Sequence, residues 1–153
     1  MTTFVVASPI GPLGVAVQGD VVVGVRFGAK SGPVAEHAAA AQLESYFAGE
    51  LTEFSVPWKL LGGSEFERAV WEQIAGIPYG EMVTYGAIAT ALGDPGAARA
   101  VGTACNRNPI PVIVPCHRVV GAGNKMVGFG GGLDRKRRLL ELEARVALTR
   151  LWG

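Results

Sequence analysis

Cysteine is scarce in this chain: two thiols, Cys105 and Cys116, among 153 residues, with His37 and His117 as the only imidazoles. Four thiolate ligands are not there to be had, so no metal is expected. Charge is also sparse, at 18% of residues with a net of +1. That argues against a disordered, solvating chain, and it does not by itself announce a binder of polyanions. No apolar run reaches the roughly 18 residues that span a bilayer. Met1-Thr2-Thr3-Phe4 lacks the charged region and apolar stretch of a secretion signal. The chain is therefore expected to be soluble and cytoplasmic, with no membrane partner and with its thiols reduced.

What is plentiful is glycine (22), proline (9) and hydrophobic side chains (49%). This is enough for a core without staples, in one domain or two small ones, with many turns. Positive charge is gathered late in the chain, at Arg99, Arg107, Arg118, Lys125, Arg135, Lys136, Arg137, Arg138, Arg145 and Arg150. Such a basic half is a footprint that polyanions favour, or simply a solvated face.

Residues 4 to 27 predict an antiparallel meander: Phe4 to Ala7, Leu13 to Val17, a Gly19-Asp20 turn, then Val21 to Phe27. Pro33 to Phe47 reads as a helix with Leu43, Tyr46 and Phe47 on its apolar stripe, and His37 as a surface residue without catalytic duty. Leu51 to Gly63 looks like a connection, which sets expected domains at 1–55 and 64–153 with a linker at 56–63. Ser64 and Glu67 form a capping box for a helix whose stripe is Phe66, Val70, Trp71 and Ile74.

Thr84 caps a helix through Leu92, Asp94-Pro95-Gly96 turns the chain, and a second helix runs from about Ala97 to Arg107. On that second helix Ala97, Ala100, Val101 and Ala104 share one face, and Arg99, Gly102, Thr103 and Asn106 share the other. Mid-helix glycine costs about 1 kcal/mol against alanine. A face bared by Gly102 therefore points either to close approach by something large or to tight packing within the protein.

The central stretch is Pro115-Cys116-His117-Arg118-Val119-Val120, entered through the apolar Asn108 to Val114. A β-branched, proline-bracketed entry predicts an extended segment that delivers Cys116 to the interior. His117 and Arg118 beside it suggest positive charge close to the sulfur, and so a stored thiolate. A small buried cysteine with no reactivity is the plainer reading, and it suits Cys105. Val119 to Val127 predicts a hairpin about Gly123-Asn124, followed by the glycine-rich loop Gly128-Phe129-Gly130-Gly131-Gly132, whose backbone could lie against a flat ligand. Asp134 is expected to cap a final helix carrying Leu139, Leu140, Leu142 and Glu143.

Asn108-Pro109, Pro115-Cys116-His117-Arg118-Val119-Val120, Gly128-Phe129 before Gly131-Gly132, and Lys136 before Leu139-Leu140 with Glu143 together resemble the O6-alkylguanine-DNA alkyltransferases, the methylated-DNA–protein-cysteine methyltransferases. The motifs cover roughly residues 64 to 145, while the N-terminal meander is similar in outline only. The resemblance implies an α+β protein: a small, ribonuclease H-like antiparallel sheet with a helix, then a helical, winged-helix-like domain holding the helix-turn-helix. It implies a DNA repair protein that flips O6-alkylguanine out of the duplex and moves the alkyl group irreversibly to Cys116 in one turnover, with O4-alkylthymine and alkyl-group size left open. His117 would be the base, acting through a bridging water. Glu143 would orient it and favour its charged form, Asn108 would brace the turn, and Tyr85 would serve the leaving guanine.

Arg99 would take the vacated place in the stack, on a helix lying in the minor groove of double-stranded DNA. Thr84, Tyr85, Ala98, Gly102 and Thr103 would lie at that interface. Val119, Val127, Gly128, Phe129, Gly130 and Gly131 would line the pocket. A monomer is expected, with cooperative assembly on DNA left open. Two departures stand out: Phe129 where relatives often carry tyrosine, and Cys105 where they can carry a larger residue, which raises the idea of a second alkylatable thiol. The alternatives are a non-enzymatic binder or sensor of alkylated DNA built on the helix-turn-helix, and a Cys-His hydrolase. The presence of Cys116 argues against a cysteine-free binder.

Overall fold

A computed structural model describes residues 1–152, which divide into two compact units. The first holds Met1–Leu61 together with Pro109–Pro111, and the second holds Gly62–Asn108 and the chain from Val112. Sheet and helices are segregated along the sequence, an α+β architecture.

In the first unit, β1 (Thr2–Val6), β2 (Leu13–Gln18) and β3 (Val21–Phe27) form the antiparallel meander. Phe4 pairs with Val15 and Leu13 with Phe27, and a register shift between Ala16 and Val17 bends the sheet. Alternation puts Phe4, Val6, Leu13, Val15 and Val17 inside. α1 (Ala38–Phe47) buries Ala39, Ala40, Leu43 and Tyr46.

The helix expected from Pro33 starts five residues later, because Pro33 O accepts from Val5 N at 2.9 Å and holds that stretch extended. His37 is its N-cap: Nδ1 accepts from Ala39 N, and Nε2 lies 2.9 Å from Gly19 O. His37 keeps the expected position at the surface, partly exposed, but with both ring nitrogens engaged as a cap. Residues 51–61 are tied to this unit by Val22 N donating to Pro57 O and Lys59 N donating to Val22 O.

The second unit opens with α2 (Glu65–Ala75), whose capping box is complete. Val70, Trp71 and Ile74 are buried, but Phe66 is exposed, one residue too far round the helix. Trp71 Nε1 donates to Ala104 O at 2.8 Å, which fixes α2 to α4 (Ala98–Asn106). Between them, β4 (Val83–Thr84) leads into α3 (Tyr85–Ala91), and Thr84 Oγ1 caps it by accepting from Ala87 N. α4 buries Val101, Ala104 and Cys105, while Ala100 is exposed, so its inner face lies one residue round from the predicted one.

β5 (Val119–Val120) pairs parallel to β4 rather than with residues 125–127, so the expected hairpin is absent. Gly121 N donates to Lys125 O instead, which closes a tight turn at Ala122–Asn124. α5 (Leu133–Trp152) buries Lys136, Leu139, Leu142 and Glu143. It starts at Leu133, so Asp134 sits inside the first turn, not before it, and pairs with Arg138 Nε at 3.2 Å. None of the described helices is long and apolar enough to cross a membrane.

Gly63 shows how tightly the start of α2 is set. Its φ is +94°, and a Cβ there would lie 2.5 Å from Trp71 Cζ3. Gly63→Ala is expected to cost about 1–3 kcal/mol for the backbone conformation alone, read as a lower urea midpoint. An unchanged midpoint would show that the turn and the Trp71 ring yield freely.

Candidate active site

Cys116 does not lie on an extended strand. Asn108 to Val114 carries prolines at 109 and 111 and a left-handed Val112 (φ 73°), and the chain then tightens into a 3-10 turn over Cys116–Arg118. Cys116 N donates to Val114 O and Arg118 N to Pro115 O. A β-branched residue at positive φ is strained, and here it is buried in the segment that presents the thiol. Propensity predicted a strand because it reads Val-Ile-Val and cannot read the prolines' effect on direction.

The turn also sends the charges elsewhere. Arg118 Nε and Nη2 donate to Glu143 Oε1 and Oε2 at 2.8 and 2.9 Å, and Nη1 donates to Ile77 O. His117 Nε2 meets Glu143 Oε2 at 2.7 Å. Gly80 N donates to Oε1 as well. Cys116 Sγ instead accepts from Asn108 Nδ2 at 3.1 Å, and the same amide donates to Val114 O. Burial and the Cys105 thiol push the Cys116 thiol well up, against smaller opposing effects of Asn108 and Lys136. The resting group is the thiol, not the stored thiolate that its neighbours in sequence suggested.

Burial alone would raise the Glu143 carboxyl. The hydrogen bonds from His117 and Arg118 outweigh it and hold the group far below the usual carboxylate range. An ionised carboxylate only accepts, so His117 Nε2 carries the proton and Nδ1 keeps its lone pair. That Nδ1 is buried and has no partner among the described residues. Burial depresses the His117 imidazole more than Glu143 raises it, so the ring rests neutral even though Glu143 favours its charged form. The result is a neutral imidazole with Nε2 fixed on Glu143 and Nδ1 left able to accept a proton.

Lys136, a residue the sequence offered only as part of a motif, is buried among carbonyls. Its Nζ donates to Val119 O at 2.6 Å and to Val127 O and Gly128 O at 3.2 Å, and lies 3.4 Å from the Tyr85 hydroxyl. The Tyr85 hydroxyl donates to Val127 O at 2.7 Å. Burial, then the nearby Cys105 and Cys116, push that phenol up to about 12, so it is a neutral donor.

Beside this cluster lies an open cleft of about 650 Å³. Thr84, Tyr85, Ala98, Arg99, Gly102, Val127 and Gly128 line it, together with Gly86, Asn106, Ala122 and Gly123, which the sequence reading had not singled out for it. Thr103, Val119, Phe129, Gly130 and Gly131 are not on that lining. Thr103 turns its hydroxyl back to Arg99 O, Val119 is buried on β5, and Gly131 O accepts from Arg135. Gly130 packs against the end of α4, where a Cβ would stand 2.9 Å from Asn106 O.

Much of the late positive charge is used internally. Arg118 and Lys136 are buried, Arg107 faces Glu67, and Arg137 and Arg138 face Asp134. The Arg99 guanidinium, exposed at the rim of the cleft, forms no hydrogen bond or ion pair with a described residue.

A buried thiol next in sequence to a carboxylate-braced imidazole, with an open cleft lined by Tyr85, is the set of parts that cysteine-nucleophile proteins use. Comparison with known proteins narrows the class. The family model of the 6-O-methylguanine DNA methyltransferase DNA-binding domain matches residues 65–145. A methylated-DNA–protein-cysteine methyltransferase of Mycobacterium leprae is 51% identical, over 94% of this chain and 93% of its own. The crystal structure of a Mycobacterium tuberculosis protein of this kind in complex with DNA superimposes with a TM-score of 0.86 at 48% identity, covering 94% and 93% of the two chains. The O6-methylguanine-DNA methyltransferase of Pyrococcus kodakaraensis gives 0.73 at 29% identity, covering 93% and 99%. The chain belongs to the methylated-DNA–protein-cysteine methyltransferase family, as its motifs led one to expect.

The buried pair has a pH signature. The depressed His117 means that the unfolded chain binds the extra proton first, so stability falls as pH drops below about 6.5. The depressed Glu143 adds a second loss below about 4.3, the unfolded carboxylate value, and its contribution is whole above that. Denaturant midpoints measured from pH 8 to pH 3 are expected to fall in both windows. Glu143→Gln should cost about 3–5 kcal/mol at neutral pH, because Arg118 is left buried without its counter-charge, and should flatten the lower window. A variant as stable as wild type would refute the account of the pair.

Proposed function

We propose that this protein repairs DNA by taking the alkyl group of O6-alkylguanine onto Cys116 Sγ, once per molecule. The observation that carries the reading is the His117–Glu143 pair, with Nδ1 unpartnered, next in sequence to a buried thiol in a chain of this family. His117 Nδ1 takes the thiol proton through a water, since Cys116 and His117 share no direct hydrogen bond among the described residues. Glu143, held anionic by Arg118, stabilises the imidazolium that results. The thiolate attacks the alkyl carbon, the S–C bond forms as the C–O6 bond breaks, and the proton returns to the departing guanine. Tyr85, a neutral phenol, donates a hydrogen bond to that base after leaving Val127 O. Asn108 braces Sγ.

Double-stranded DNA is the partner in this reading, met in its minor groove by the outer face of α4 with Thr84, Tyr85, Ala98, Gly102 and Thr103. Arg99 fills the gap left by the flipped nucleotide, and its free guanidinium supports that part. Val119, Val127, Gly128, Phe129, Gly130 and Gly131 shape the pocket, and Lys136 holds three of its carbonyls in place. The first unit is read as ribonuclease H-like, from its meander followed by α1, and the second as winged-helix-like around α3 and α4. The protein is taken to act as a cytoplasmic monomer, with cooperative assembly on DNA a matter for titration.

Labelled methyl transfer from an O6-methylguanine duplex is expected to stop near one label per chain, all on Cys116, and to vanish in Cys116→Ser. Repeated turnover, or equal transfer by the variant, would overturn the reading. Arg99→Ala is expected to lose about tenfold or more on duplex DNA, a loss of roughly 1.4 kcal/mol, while reacting normally with free benzylated guanine base. Equal losses on both substrates would remove Arg99 from flipping.

A further inference from the structure

One polar side chain on the cleft wall has no part in the mechanism. Asn106, the last residue of α4, is exposed, and its carboxamide forms no hydrogen bond with a described residue. It lines the cleft together with Arg99 and Gly102, the three spaced i, i+3 and i+7 along one face of α4. Arg99 stands at one end of that bare stripe and Asn106 at the other, two turns or about 10 Å away. Two glycines of the loop set its surroundings. Gly130 packs on its backbone, where a Cβ would stand 2.9 Å from Asn106 O. A Cβ on Gly128 would lie 3.6 Å from Asn106 Nδ2, 3.7 Å from Oδ1 and 3.9 Å from the Tyr85 hydroxyl. The carboxamide and the phenol therefore flank one spot over Gly128, with room there for an atom in ordinary contact with both.

Inward from that spot, contacts lead to the turn of the nucleophile. The Tyr85 hydroxyl lies 3.4 Å from Lys136 Nζ, Lys136 donates to Val119 O at 2.6 Å, and Val119 N donates to Cys116 O. Exposure falls in the same order, from exposed Asn106 through half-buried Tyr85 to Cys116 at 2%. A guanine whose alkylated O6 must meet that buried sulfur goes in O6 first. Its glycosidic nitrogen, sugar and phosphates lie on the opposite side of the base and are left at the exposed end, beside Asn106. A phosphate offers acceptors, and a carboxamide NH₂ offers two donors. Of the other polar side chains on the lining, Arg99 is assigned to the stack and Tyr85 to the base, and Thr84 Oγ1 is engaged as the cap of α3.

We propose that the Asn106 carboxamide donates to a phosphate oxygen of the flipped nucleotide and holds that nucleotide in the cleft while its base reaches Cys116. The role presupposes the proposed alkyl transfer and adds to it a contact with the backbone of the substrate. The two ends of the α4 face then divide the work, Arg99 keeping the duplex open and Asn106 keeping the displaced nucleotide in place. A backbone contact carries no base information, so it serves any alkylated nucleotide that the pocket accepts. An uncharged donor also neutralises no phosphate, so it strengthens capture with little change in the salt dependence of binding.

The test is the rate of methyl transfer from O6-methylguanine duplexes, one with a natural backbone and two in which a single phosphate, 5′ or 3′ of the lesion, is an uncharged methylphosphonate. Asn106→Ala is expected to react roughly tenfold more slowly than wild type on the natural duplex, the loss of one hydrogen bond to a charged group. Asn106→Asp should be slower still, because a carboxylate repels the phosphate. On one of the methylphosphonate duplexes wild type is expected to fall to the rate of Asn106→Ala, which itself falls no further, closing a double-mutant cycle on the pair. Free benzylated guanine base has no phosphate and should react alike with wild type and both variants, which also shows that they are folded. Asn106→Ala as fast as wild type on the natural duplex, an unchanged ratio of the two on both methylphosphonate duplexes, or an equal loss on the free base would overturn the proposal. Any of these beside normal wild-type transfer removes the role of Asn106 alone, whereas a wild type that transfers nothing removes the proposed function with it.

Discussion

Glu143 is the point on which the site hangs. Its two oxygens accept from His117, twice from Arg118 and from Gly80 N, close to the four lone-pair sites a carboxylate offers. Burying an anion costs several kcal/mol, and this one is affordable only because every lone pair is met. The consequence is geometric as much as energetic. One side chain on α5 fixes the 3-10 turn that carries Cys116, and Arg118 extends the link to Ile77 at the end of α2. It also fixes the imidazole tautomer, so the nitrogen with the lone pair is decided by a contact on the opposite side of the ring.

The thiol itself is held back rather than charged up. Burial favours its neutral form, and the cation that opposes this is Lys136, not the histidine and arginine that follow it in sequence. In the proposed reaction the thiolate arises when His117 removes the proton. Lys136 also gathers the carbonyls of Val119, Val127 and Gly128. A loop rich in glycine has little side-chain packing to keep its shape. Here an ammonium on a long helix and one tyrosine hydroxyl supply what packing does not.

Much of this was legible in the chain. Periodicity located every helix of the second unit, and the Ser64–Glu67 capping box and the Thr84 cap marked two starts to the residue. Alternation gave the meander. What failed did so for identifiable reasons. The Val-Ile-Val run reads as a strand until Pro109, Pro111 and the strained Val112 are considered together. Val119 and Val120 do pair as a strand, but with Val83 and Thr84, a parallel partner far away in sequence that local pattern cannot find. The direction in which His117 and Arg118 point depends on Glu143, twenty-five residues from the arginine. Sequence adjacency put positive charge on the sulfur, and folding took it to the carboxylate.

The outer face of α4 was the hardest feature to interpret from sequence, because a bare helix face can mean internal crowding or an external partner. The geometry separates the two. A Cβ on Gly102 would meet nothing closer than the Tyr85 ring at 3.9 Å, which is ordinary contact, and one on Gly96 only an Asp94 oxygen at 3.6 Å. Neither glycine is required by its neighbours, whereas Gly130 plainly is, with a backbone oxygen 2.9 Å from its missing Cβ. Glycine inside a helix still carries its penalty of about 1 kcal/mol, and nothing within the unit offsets it at Gly102. In the proposed function the compensation lies outside the protein, in a DNA surface that comes closer to the helix than a methyl group allows. Arg99, three residues away on the same face and unpaired, is the charge such a polyanionic surface would meet first.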